Sequence, residues 1–147
     1  MAIGDLAVFD EAKERMLESP ILVLDNIWIG LVTNLCLVGD ANPAYGAGGT
    51  TNYTAIATAG EYLVGGLLLD VITAIVTEAA GVMTFADTGA SVTWAQNAAS
   101  PVNARCAVVY NHTTKLCYLF IDLGAAIDMT AGDLTITWDV AGMFTIT

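Results

Sequence analysis

The chain has 147 residues, the size of one domain, and such a domain can bury about 70% of its unfolded surface without staples. Apolar residues make up 56% and charged residues 13%, against about 25% charged in ordinary soluble domains, so either Thr and Asn supply the polar surface or part of the apolar surface is covered by other subunits. Fifteen acids face only Lys13, Arg15, Arg105 and Lys115, for a net charge of -11. Four scattered cations make no phosphate-binding patch, and an anionic membrane surface would repel the chain, so the expectation is no direct nucleic acid and no membrane partner.

Acids interrupt every apolar stretch before about 18 residues, as where the run 62–69 stops at Asp70, and no membrane span is expected. The opening Met-Ala-Ile-Gly-Asp has no basic region ahead of an apolar segment, which points to a protein made and kept in a cytosol, or in something assembled there. Cys36, Cys106 and Cys117 are odd in number and form no C-x-x-C pair. Cys106 and Cys117 could meet across a hairpin, but buried free thiols are the simpler reading.

In chain order, residues 6–17 read as one helix. Leu6, Phe9, Lys13, Met16 and Leu17 recur at helical spacing, Asp5 is placed to cap the start, and Glu11 and Arg15 stand four apart as an ion pair would. Ser19-Pro20 ends this N-terminal arm (1–20). Residues 27–33 suggest a strand buried on both faces. Residues 35–61, with Asn42-Pro43 and Gly46, Gly48 and Gly49, suggest a long loop containing at most a short paired segment, and reaching a neighbour is its natural use.

Strands are then expected over 67–77, 82–85, 92–94, 105–110, 116–122 and 134–140, with turns at 79–81, 87–89 and 111–114. In the last strand Leu134, Ile136, Trp138 and Val140 alternate with Thr135, Thr137 and Asp139, one face in and one face out. Phe144 and Ile146 close the pattern after Gly142. The run 117–121 lacks such alternation, so both its faces are covered within the fold or one meets another subunit. Together these elements predict a single mainly β domain, an antiparallel sandwich or barrel with one N-terminal helix.

Groups that could do chemistry are scarce. His112 is the one histidine and falls in a hairpin tip; Ser19, Ser91 and Ser100 sit in no G-x-S-x-G pattern. Gly46-Ala47-Gly48-Gly49 lacks the lysine and hydroxyl of a phosphate loop. Asp122, Asp128, Asp133 and Asp139 are spread too thinly for a calcium loop. The expectation is no catalytic residue, no cofactor and no metal. Trp28, Trp94 and Trp138 are read as core, with a carbohydrate platform as the sharper alternative.

Five words in register over most of the chain resemble small structural proteins of tailed phages, described as phage structural or head-decoration proteins. The family's "K-V-A-L-V-T-N" is here Trp28-Ile-Gly-Leu-Val-Thr-Asn34, and its "G-Y-T-A-G-G-x-x-L" is Gly60-Glu-Tyr62-Leu-Val-Gly65-Gly66-Leu-Leu-Leu69. "A-D-D-V-T-W" is similar to Ala86-Asp87 with an insertion before Val92-Thr93-Trp94, and "A-R-Y-A-V-V-Y" to Ala104-Arg105-Cys106-Ala107-Val108-Val109-Tyr110. The close, from Ile121-Asp-Leu-Gly124 through Gly132 and Trp138 to Gly142-Met-Phe, is similar as well. Departures are Glu61, the insertion after Asp87, Cys106 in place of an aromatic, and a reworked 35–51 loop.

The resemblance implies a virion component. The expected role is a capsid decoration or cement protein on the head exterior, assembled in the host cytoplasm, self-associating as a homotrimer and bridging major capsid protein subunits. Tail, neck or fibre subunits and a virion glycan-binding module are the alternatives. Leu6, Phe9, Tyr45, Tyr53, Tyr62 and Arg105 are the expected subunit or capsid contacts. Arg105 would pair with Asp87 or another acid at the sheet edge, or with a neighbouring subunit. Gly65-Gly66 would permit a tight turn or a close backbone approach.

Overall fold

A computed structural model describes residues 3–18, 26–69, 76–79, 82–85, 91–138 and 144–146. Expectations at Ser19-Pro20, Asp87, Asp139 and the turns at 80–81 and 87–89 lie outside them. The architecture is mainly β, as expected, built on a five-stranded antiparallel sheet, and no barrel closes among the described strands.

The sheet is assembled from β1 (Leu6–Val8), β2 (Ile27–Val32), β5 (Leu67–Leu68), β9 (Ala104–Asn111) and β10 (Cys117–Ile127), in the order β1-β10-β9-β2-β5. At its centre β9 and β10 form the expected hairpin, with Phe120 opposite Val108 and Cys117 opposite Tyr110. β2 pairs with the other side of β9, setting Gly30 opposite Val108. All of β2 except half-buried Trp28 is buried, matching its unbroken apolar pattern. The first five residues of β10 are also fully enclosed within the chain, which decides between the two readings of the 117–121 run.

The N-terminal reading needs correction. Residues 6–8 are not helical; they form β1, with Leu6 opposite Ile121 and Val8 opposite Leu119, and the helix α1 spans Asp10–Glu18. The cause is backbone accounting. β10 has a free edge, and Gly4 and Phe9 donate their N–H groups to the carbonyls of Asp122 and Tyr118 there, at 2.8 and 3.1 Å. Asp5 is therefore far from the helix start. Phe9 ends the strand and its carbonyl accepts the first helical bonds, from Ala12 and Lys13. The Glu11–Arg15 pair forms as expected, at 2.8 Å.

The segment 35–61 is a long loop that carries a short paired segment, as expected. It contains β3 (Pro43–Tyr45) and β4 (Thr51–Tyr53), paired in parallel, and both lay aromatic rings on the central sheet. Tyr45 stacks on Tyr110 with centroids 4.3 Å apart, and Tyr53 meets Phe9, which itself packs on Phe120 at 4.8 Å. Gly30 makes this possible, because a Cβ there would lie 2.6 Å from the Tyr45 ring.

The expected strand over 67–77 divides. β5 runs along β2, whereas β6 (Val76–Ala79) belongs with β7 (Val82–Phe85) and β12 (Phe144–Ile146) in a separate three-stranded sheet. β8 (Ser91–Trp94) and β11 (Leu134–Thr137) make a two-stranded ribbon. It sends Val92, Trp94 and Ile136 into the core and keeps Thr93 and Thr135 outside, hydroxyls 2.9 Å apart.

Candidate interaction surface

The expected contact residues mostly serve the chain's own interior. Phe9, Tyr45, Tyr53 and Tyr62 are buried in one core cluster. Arg105 and Asp122 form a two-pronged ion pair within the chain, and Gly124 N–H donates to the same carboxylate at 2.7 Å. The Arg105 guanidinium and that N–H together hold the Asp122 carboxyl below its usual range. Leu6 is half-buried beside a cleft of about 500 Å³ between β1 and β11, which Ile121, Ile136 and Trp138 also line.

Ile3, Leu35, Leu37 and Val102 are exposed at separate places, and four more exposed apolar side chains gather around β5. Leu63, Val64, Leu67 and Leu68 keep 63%, 57%, 37% and 49% of their area in water. No charge occurs from Tyr62 to Leu69, in a chain of net charge -11. β5 is an edge strand, paired only with β2 among the described strands, with Leu68 opposite Trp28. Next to it the rings of Trp28 and His112 stack with centroids 4.5 Å apart. Burial, and after it the Lys115 charge, hold the His112 imidazole below its usual value, which favours the neutral ring.

This ledge is held from beneath. Gly65 N–H donates to Tyr45 Oη at 3.1 Å, and Tyr110 Oη donates to the Gly65 carbonyl at 2.9 Å, so two buried phenols grip the peptide groups on either side of the Gly65 Cα. Tyr45 Oη and Tyr62 Oη are 3.1 Å apart, and Leu31 N–H donates to Tyr62 Oη at 2.9 Å, tying the grip into β2. Burial raises all three phenols above the ordinary tyrosine value, so they remain protonated hydrogen-bonding groups. Gly66 has φ +81° and a Cβ there would lie 1.9 Å from the Ile29 carbonyl oxygen, so only glycine lets the chain lie this close to β2. Leu63 C=O accepts from Gly66 N–H at 2.9 Å, and Val64 N–H donates to Thr58 Oγ1 at 2.9 Å, which fixes the tip. The tight approach expected of the glycine pair is therefore real. Turning the leucines outward is its consequence, which the sequence reading missed; its signal was a glycine doublet flanked by uncharged Leu-Val and Leu-Leu.

His112 and Cys117 lie apart from one another. His112 touches the rings of Trp28 and Tyr110, and Cys117 donates its thiol to the Lys115 carbonyl at 3.9 Å. Among the described residues no three His, Cys, Asp or Glu side chains gather as metal ligands. Asp128 and Asp133 instead accept from Thr130 and Gln96 N–H groups and shape loops. Among the described residues no helix is long and apolar enough to cross a membrane.

No family model, curated protein or solved structure matches the chain.

Proposed function

We propose that the chain is a non-enzymatic structural subunit of a tailed-phage particle, a decoration or cement protein on the head exterior that bridges major capsid subunits. The ledge carries this reading. It is an uncharged apolar surface on a strongly acidic chain, and contiguous surfaces of that kind are covered by partners. Its backbone is clamped by Tyr45 and Tyr110, so docking costs little ordering entropy. Four apolar side chains fall well short of the roughly 20–30 residues a side in a stable two-body interface. A lattice of repeated sites turns such weak contacts into firm attachment, and trimerisation multiplies them again. The five sequence words that resemble those of phage structural proteins support the same reading.

Purified chain added to particles stripped of it tests the proposal. Saturable binding at symmetry-related head positions is expected, with loss of binding when Leu63, Val64, Leu67 and Leu68 are all changed to Ser. Binding only at the tail would favour a tail, neck or fibre subunit, and undiminished binding by the quadruple variant would reject the ledge as the contact. The half-buried Trp28–His112 stack favours one second reading, a glycan-binding module that lays a sugar on the indole. A glycan array with no binder would remove it.

A further inference from the structure

Cys36 and Cys106 meet in the interior although 70 residues separate them. Cys106 stands in β9 opposite Val32, the last residue of β2, and the chain returns from β2 to bring Cys36 over it. Cys36 N–H donates to Cys106 Sγ at 3.3 Å, and neither residue has exposed area. That contact places the Cys36 backbone directly against the Cys106 sulfur. The pairing weighed from sequence, Cys106 with Cys117, is not the one that the fold brings together.

We propose that Cys36 and Cys106 are a paired dithiol that hydroperoxides close to an intrachain disulfide, fastening the root of the 35–61 segment to the central sheet. The two sulfurs are inequivalent. The adjoining Cys36 side chain, and the Cys36 N–H that Cys106 Sγ accepts, draw the Cys106 thiol down against the effect of burial. The adjoining Cys106 side chain pushes Cys36 up. The N–H that Cys106 Sγ accepts favours its thiolate, so Cys106 is the nucleophile and Cys36 holds the proton. The Cys106 thiolate attacks one peroxide oxygen, the O–O bond breaks, and the other oxygen leaves as water or alcohol after taking a proton. The resulting Cys106 sulfenic acid is attacked by the Cys36 sulfur; the S–O bond breaks, the S–S bond forms, and water leaves with the Cys36 proton. Two thiols are oxidised and one hydroperoxide is reduced, and hydrogen peroxide is small enough to enter through local openings.

The test uses the full purified chain, treated with a few equivalents of hydrogen peroxide, quenched with catalase and unfolded for thiol counting. Titratable thiols are expected to fall from three to one, with a peptide joining Cys36 to Cys106 by mass spectrometry. Dithiothreitol should reverse the change, and the closed form should melt roughly 5–15 °C higher. Cys117→Ser should behave identically, losing both its remaining thiols. Cys36→Ser should divert Cys106 to sulfinic acid. Three thiols left intact, a link through Cys117, a link between two chains, or sulfinic acid at Cys106 in the wild-type chain would each overturn the proposal.

Discussion

Two uncharged apolar runs in this chain, residues 62–69 and 117–121, have opposite fates. The second is the start of β10, with β1 on one side and β9 on the other, and every one of its residues is buried. The first ends in β5, which among the described strands has β2 on one side only, and four of its side chains face water. Hydrophobicity does not separate them. What does is the number of strand neighbours and the glycine pair, which presses the backbone, not the side chains, of the first run against β2. An apolar run with its backbone grounded and its side chains outward is what the proposed docking surface consists of.

The sharpest way to break this contrast is to shorten one side chain in each run. Leu119→Ala opens a cavity in the sheet and should cost about 2–5 kcal/mol in denaturant unfolding. Leu68→Ser should change stability by no more than about 0.5 kcal/mol. Equal losses would mean that β5 is core after all. Gly66→Ala comes next. Its new methyl collides with the Ile29 carbonyl at a positive φ, and a loss of roughly 2–4 kcal/mol is expected, with faster amide exchange at Leu67 and Leu68. Tyr110→Phe removes one half of the grip on Gly65 and strands a buried carbonyl, for about 1–3 kcal/mol.

The same grip sets a pH dependence. Tyr45, Tyr62 and Tyr110 titrate above their unfolded value of about 10, so the folded chain holds protons that the unfolded chain gives up. Stability from these groups is complete below pH 10 and falls as the pH climbs beyond it. Thermal melts from pH 8 to 11 should show a plateau and then a decline, which Tyr110→Phe makes shallower.

Much of the fold is legible in local pattern. The unbroken run of β2, the β9–β10 hairpin and the in-out alternation of Leu134, Thr135, Ile136 and Thr137 all follow from periodicity that neighbours in sequence can display. What local pattern misreads is decided by distant partners. Leu6 and Phe9 sit at helical spacing, yet the open edge of β10 claims residues 6–8 as a strand. Tyr45 and Tyr53 belong to a glycine-rich stretch that resembles an exposed loop, and only the hollow at Gly30 shows why they turn inward. Arg105 was legible as an ion-pair residue, but its partner Asp122 is reached through strand register. The ledge was written in the sequence as an uncharged run; its direction was not, because that depends on the pairing of Leu67 and Leu68 with β2.

The most direct check on the functional account is the copy number of this chain in purified phage particles from the strain encoding it, measured by mass spectrometry against isotope-labelled standards. A head decoration protein predicts hundreds of copies per particle, lost together with head stability when the ledge leucines are made polar. A chain that is missing from the particle altogether contradicts it.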